Sequence, residues 1–140
     1  MKKILLIILC IGLTGCFGPK ATTITIQPDG NKMAYLTTEF TVKAGESIRL
    51  VMDNTATIEV MKHNIVVLND ASKVTEVGTQ ALTEADYIPD NPAIIAATPM
   101  ADAGAQSEVT FTAPSTPGEY VFICTYPGHY MMMKGKMIVQ

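Results

Sequence analysis

The chain has 140 residues, 48 % of them hydrophobic, with 10 Lys and Arg against 13 Asp and Glu and a formal net charge of −3. That length suits one domain with a sizeable core, and the acidic balance without any basic run excludes a nucleic-acid partner.

The chain opens on what reads as an address. Lys2 and Lys3 precede an almost wholly apolar run, Ile4 to Ile11, which is too short to cross a bilayer as a permanent helix. Residues 1–15 therefore read as a secretory signal peptide. The run ends in Leu13-Thr14-Gly15-Cys16, which resembles the lipobox of bacterial lipoproteins, in which the cysteine is lipidated and becomes the new N-terminus. An ordinary signal peptide with an incidental Cys16 is the alternative. Loss of the two leading lysines takes the formal charge from −3 to −5. No second long apolar stretch follows, so lipid would be the sole membrane link. Acyl chains contribute about 0.8 kcal/mol per buried CH₂, and two or more anchor stably where one is marginal. Residues 16–21 are then the lipidated cysteine and a short linker. Its five residues from Phe17 to Ala21 reach about 17 Å when extended, so the domain at 22–140 is held near the membrane, in the extracytoplasmic cell envelope.

Short strands separated by turns follow. Ile24 and Ile26 alternate with threonines, and Pro28-Asp29-Gly30-Asn31 is a turn. Glu39 to Val42 is a short strand, and Ala44-Gly45-Glu46 turns the chain. Ile48, Leu50 and Met52 alternate with Arg49, Val51 and Asp53, whereas Ile65 to Leu68 is a compact run suited to a strand buried on both faces. From Ala71 to Tyr87, apolar residues at 74, 77, 78, 81, 82 and 85 recur at helical spacing, with Asn69 or Asp70 as the cap. Residues 88–105 carry three prolines and little periodicity, and read as a long loop. Val109 to Thr112, Tyr120 to Cys124 and Met137 to Val139 complete the strands. The pattern predicts an all-β antiparallel sandwich interrupted by one helical segment.

Of the three cysteines, Cys10 leaves with the signal and Cys16 would be acylated, so Cys124 is alone. A free thiol in an oxidising compartment invites a metal-ligand reading; a buried inert cysteine is the bland alternative. The stretch Cys124-Thr125-Tyr126-Pro127-Gly128-His129-Tyr130-Met131-Met132-Met133 delivers a thiolate at a strand end, turns at Pro-Gly, and returns a histidine and then a methionine. His63, the only other histidine, lies just before the buried run. Two imidazoles and a thiolate suit both Cu(I) and Cu(II), and a thioether is a weak axial donor. The set predicts a copper site of His63, Cys124, His129 and Met133. Zinc has little use for a thioether, an iron–sulfur cluster needs more cysteines, and a cysteine–histidine nucleophile leaves His63 and Met133 unexplained.

The spacing Cys-x₄-His-x₃-Met resembles the ligand loop of azurins and auracyanins, in the cupredoxin group. Val60-Met61-Lys62-His63-Asn64 is similar to the azurin segment bearing the first histidine ligand. Asp86-Tyr87-Ile88-Pro89-Asp90, Val109-Thr110-Phe111 and Met133-Lys134-Gly135 extend the resemblance over most of residues 22–140. It implies a Greek-key β-sandwich with a helical flap, and a blue-copper protein shuttling single electrons. Carried over by position, Asn64 braces the ligand loop and bonds near the cysteine sulfur, with Thr125 beside it, and Met33, Met61 and Tyr126 surround an exposed edge of His129 as an electron port. Azurins have glycine where this chain has Lys62, so the Lys62 carbonyl is left out of the ligand set. The azurin disulfide has no counterpart, which with the lipobox points to an auracyanin-like relative. The implied partners are redox proteins. With all four donors filled and no open substrate position, no enzyme is expected. A copper-binding carrier or chaperone, with Met131 and Met132 as Cu(I) donors, is the alternative function.

Overall fold

Eight strands, β1 (Thr22–Ile26), β2 (Glu39–Val42), β3 (Ser47–Asp53), β4 (Val66–Leu68), β5 (Ile94–Ala97), β6 (Gln106–Thr112), β7 (Gly118–Ile123) and β8 (Lys134–Val139), form two sheets in the computed structural model, which describes residues 20–140. The expected signal segment 1–15 and Cys16 lie outside the described residues. Among the described residues, no helix is long and apolar enough to cross a membrane.

One sheet has the order β1-β3-β6 and the other β2-β8-β7-β4-β5. Alternation explains how they face each other. Ile48, Leu50 and Met52 of β3 point into the core, where they join Phe122 of β7 and Met137 and Val139 of β8. The expected Greek-key sandwich is present, but two pairings are parallel, β1 with β3 and β2 with β8. The reason is the chain path: β2 lies in the opposite sheet, so β1 and β3 are joined by a crossover rather than a hairpin.

The run from Ile65 to Leu68 is buried on both faces, as its composition suggested. Ile65 and Val67 belong to the sandwich core, while Val66 and Leu68 pack with Val77, Ala93 and Ile123 under the helix. That helix consists of a 3-10 turn (Ala71–Lys73), α1 (Val74–Gln80) and a second 3-10 turn (Ala81–Thr83). Asp70 caps it, accepting from the Ser72 N–H at 2.8 Å. It ends earlier than the spacing predicted. Glu84 is already extended, Tyr87 turns the chain with φ 58°, and Leu82 is exposed.

Residues 88–105 are not all loop, because β5 pairs with β4 as the edge of the larger sheet. Its four residues sit between Pro92 and Pro99, so too little uninterrupted pattern was left to mark a strand.

Two glycines allow close approaches near the C-terminal loop. A Cβ on Gly78 would lie 2.3 Å from the Tyr130 ring, so the bare glycine lets α1 rest directly on the residue after His129. At Gly135 a Cβ would meet Phe122 Cζ at 2.2 Å and the Thr38 carbonyl oxygen at 2.6 Å. Phe122 is fully buried and the Thr38 carbonyl also binds the Lys136 N–H, so neither yields easily.

Candidate metal centre

Strand β7 ends at Ile123 and delivers Cys124 into the core. The chain then turns at Pro127-Gly128, where Gly128 adopts a left-handed φ of 81°, open to glycine at little cost, and enters a single 3-10 turn, His129–Met131. Backbone bonds, among them Met132 N–H to the His129 carbonyl at 3.0 Å, close this loop on itself. His129 N–H donates to the Tyr126 carbonyl at 2.9 Å, Met133 N–H to the His129 carbonyl at 2.7 Å, and Cys124 N–H to the Met133 carbonyl at 3.0 Å. Thiol, imidazole and methionine are therefore tied by local backbone geometry.

His63 arrives from a different part of the chain. Its N–H donates to the Ala101 carbonyl at 3.1 Å and its carbonyl accepts from the Ala101 N–H at 2.8 Å, a single bridge just ahead of β4. Asn54, fully buried, supports the bridge from below by donating to the carbonyls of Met61 (2.8 Å) and Ala101 (3.0 Å). Thr98 does the same one step on, its hydroxyl accepting from the Ile65 N–H at 3.0 Å. Neither residue was singled out from sequence. Buried Asn and Thr are recognisable only once their partners are known, because both are ordinary in turns and strands.

The two parts are clamped together by Asn64. Its side-chain oxygen accepts from the Thr125 N–H at 2.8 Å, and its amide donates to the Thr125 hydroxyl at 2.8 Å. Both residues are fully buried. Asn64 and Thr125 are thus joined by a reciprocal pair of bonds in a place where a broken one costs about 1–3 kcal/mol.

The result is a cluster of three donors. Cys124 Sγ lies 3.8 Å from His63 Nδ1 and 3.6 Å from His129 Nδ1, and the donor atoms of all three residues fall within 4.8 Å of one another. A metal ion with nitrogen at about 2.0–2.1 Å and sulfur at about 2.3 Å, separated by 120°, requires an N···S distance of about 3.8 Å. The observed spacings meet that requirement. Two imidazoles and one thiolate, with the Met133 thioether in the same core cluster as Cys124, are a donor set that suits copper.

Burial sets the protonation states. His63 is pushed down to about 4 by desolvation and by the nearby His129, and desolvation lowers His129 as well. Both imidazoles are therefore neutral near pH 7, with lone pairs available. Burial raises the Cys124 thiol to about 11, against the backbone N–H groups of Asn64 and Tyr126, which favour the thiolate. The metal-free site is neutral and the thiol gives up one proton when a metal enters. His63 Nε2 is buried with no partner in the protein, so charging this ring inside the fold is unfavourable.

Met133 is fully buried and shares the core cluster with Cys124. Tyr126, half-buried, meets the His129 ring edge-on at 5.0 Å and the Tyr87 ring at 5.5 Å. Met33 is 42 % exposed and Met61 half-buried. Their loops are joined through Asn31, whose side-chain oxygen accepts from the N–H groups of Thr57 (2.8 Å) and Ile58 (3.2 Å). Met131 and Met132 are exposed, at 62 % and 69 %. Cys16 lies outside the described residues.

The depressed histidines give a pH prediction for the metal-free protein. An unfolded chain protonates its imidazoles from about 6.5 downward, whereas the folded chain protonates His63 only near 4. As pH falls between those values the unfolded state gains protons first, so folding stability drops by up to about 1.4 kcal/mol per pH unit for each histidine. Below about 4 the contribution of His63 levels off. Urea denaturation across pH 4–7 measures this; stability that stays flat or rises on acidification contradicts the assignment.

Comparison with known proteins places this geometry. The profile of the copper-binding proteins of the plastocyanin/azurin family matches residues 22–140. The chain is similar to auracyanin-A of Chloroflexus aurantiacus, with 37 % identity over 127 residues, covering 87 % of this chain and 76 % of auracyanin-A. It is 36 % identical over 125 residues to auracyanin-B of the same organism, covering 85 % of this chain but only about half, 52 %, of auracyanin-B. Among solved structures, dithionite-reduced auracyanin of the photosynthetic bacterium Roseiflexus castenholzii superimposes with a TM-score of 0.77 and 42 % identity, over 86 % of this chain and 99 % of that one. With this fold and a buried His63–Cys124–His129 donor group, the chain belongs to the plastocyanin/azurin family of copper-binding proteins.

Proposed function

We propose that the protein is a blue-copper electron carrier of the bacterial cell envelope, in which His63, Cys124 and His129, with the Met133 thioether as a weaker donor, would hold the copper. One observation carries this reading: two imidazole nitrogens from distant parts of the chain stand 3.6 and 3.8 Å from a single buried thiol. Bound copper would supply a one-electron couple between Cu(I) and Cu(II).

The protein's own part is to keep the donors still. The Asn64–Thr125 clamp, the Ala101 bridge and the bonds closing the ligand loop hold the donors in a packed core, so little rearrangement accompanies electron gain or loss. Burial excludes water from the three donors and leaves both imidazoles unprotonated. Met133 is supported as the fourth donor by its spacing, its full burial and its backbone bonds to Cys124 and His129. Electrons would pass at the His129 edge, with Met33, Met61 and Tyr126 around it; the edge-on Tyr126–His129 contact supports that port. Apolar edges favour brief encounters with redox-protein partners. Anchoring through a lipid on Cys16 is supported by the residues around it, and membrane fractionation of a Cys16→Ser variant tests it. The relatives include a protein named outer membrane protein H.8 in Neisseria, which agrees with an envelope location.

The carrier or chaperone alternative draws on one observation, the exposure of Met131 and Met132 beside the site. A carrier would release copper readily to a competing chelator and would have no stable blue Cu(II) form. Titrating Cu(II) into the purified protein separates the two. An electron carrier develops an intense visible thiolate-to-copper band that saturates at one equivalent and bleaches and returns on reduction and reoxidation. Cys124→Ala abolishes the band. No band, or copper lost on each cycle, rejects the proposal. In the loaded protein, Met61→Glu is expected to keep the band and slow electron self-exchange by about tenfold through like-charge repulsion; an unchanged rate removes Met61 from the port.

A further inference from the structure

Tyr35 lies in the segment between β1 and β2 and shares the core cluster with Cys124 and Met133. It is 4 % exposed, and its ring packs against Phe122 with centroids 5.3 Å apart. Packing alone would be served by phenylalanine. A hydroxyl in this core is unfavourable unless bonded, and here it donates to the Asn64 carbonyl oxygen at 2.6 Å. Asn64 is the residue that clamps the two ligand-bearing segments together. Its backbone is therefore held from the core side by Tyr35, while its side chain holds Thr125 through two bonds of 2.8 Å.

We propose that Tyr35 is a positioning residue for the metal centre: its hydroxyl fixes the backbone at Asn64, and so sets how that residue meets the Cys124–Thr125 segment. The inference rests on the electron-carrier reading only for its redox consequence; the positioning itself is a property of the metal-free protein. The backbone N–H of Asn64 is one of two that favour the Cys124 thiolate, which gives the link a chemical outcome. Sulfur carries more negative charge when the site is reduced, so an N–H aimed at it favours the reduced state. Loosening Asn64 weakens that preference. A phenol neutral over the whole working pH range supplies the bond at every pH, since burial raises Tyr35 well above its ordinary value.

The test compares Tyr35→Phe with Tyr120→Phe in the full chain. Tyr120 is a matched control, because its hydroxyl also donates to a backbone carbonyl, that of Thr116 at 2.8 Å, but on the exposed side of the fold. In the metal-free protein, amide hydrogen exchange at Asn64 and Thr125 is expected to quicken at least tenfold in Tyr35→Phe and to stay unchanged in Tyr120→Phe. In the copper-loaded protein, Tyr35→Phe is expected to keep one copper per chain, to shift the visible band, and to move the equilibrium with a one-electron reagent at least threefold towards the oxidised form. Exchange and equilibrium identical to the unmodified protein would reduce Tyr35 to packing and overturn the proposal. If the unmodified chain takes up no copper, the electron-carrier reading fails while the amide readout still judges Tyr35. The Tyr35 hydroxyl proton of the unmodified protein must also exchange slowly by NMR; rapid exchange overturns the proposal even if the phenylalanine variant does not fold.

Discussion

Two hydrogen bonds between Asn64 and Thr125 hold the functional part of this protein together. His63 sits before β4, and Cys124 and His129 follow β7, so no local rule of chain geometry brings the first to the others. The clamp does. Around it the fold supplies supports in sequence: Ala101 and Asn54 beneath His63, Thr98 beneath Ile65, Tyr35 beneath Asn64, and Gly78 beneath Tyr130. All but Gly78, which makes room for the Tyr130 ring, fasten backbone within two residues of a donor rather than the donor atom itself. The donor atoms are thereby aimed at one point while their lone pairs stay free.

Burial then decides the chemistry of that point. In water, imidazoles and a thiol would share protons with solvent near neutral pH. Here both rings are held neutral and the thiol keeps its proton until a cation displaces it. A protein that carries electrons needs a site whose geometry suits both oxidation states and whose surroundings do not reorganise. A rigid, dry, uncharged donor set meets that need. The same burial that makes an unmetallated site unstable to acid excludes water from the metallated one.

Much of this was legible from sequence, and the limits have physical causes. Cys124 and His129 lie within six residues, where spacing and a Pro-Gly turn speak for themselves, and His63 stood out because the chain has only two histidines. Burial of residues 65–68 on both faces followed from composition. The parallel pairings did not, since they depend on which sheet β2 joins. Strand β5 was hidden between prolines, and the helix gives way to extended backbone at Glu84 although the apolar spacing runs on to residue 85. The supports were the least visible. Asn54, Thr98 and Tyr35 act through backbone partners distant in sequence, and nothing in their own neighbourhoods distinguishes them from residues that simply occupy a turn or a core.

If the scaffold, rather than the ion, dictates the coordination, the copper environment will be nearly the same in both oxidation states. X-ray absorption at the copper edge of the oxidised and reduced protein measures this directly. The account predicts one short copper–sulfur contact and two histidine nitrogens in both spectra, with distances that hardly change between them. Loss of the sulfur contact, or of one nitrogen, on either reduction or oxidation would contradict it.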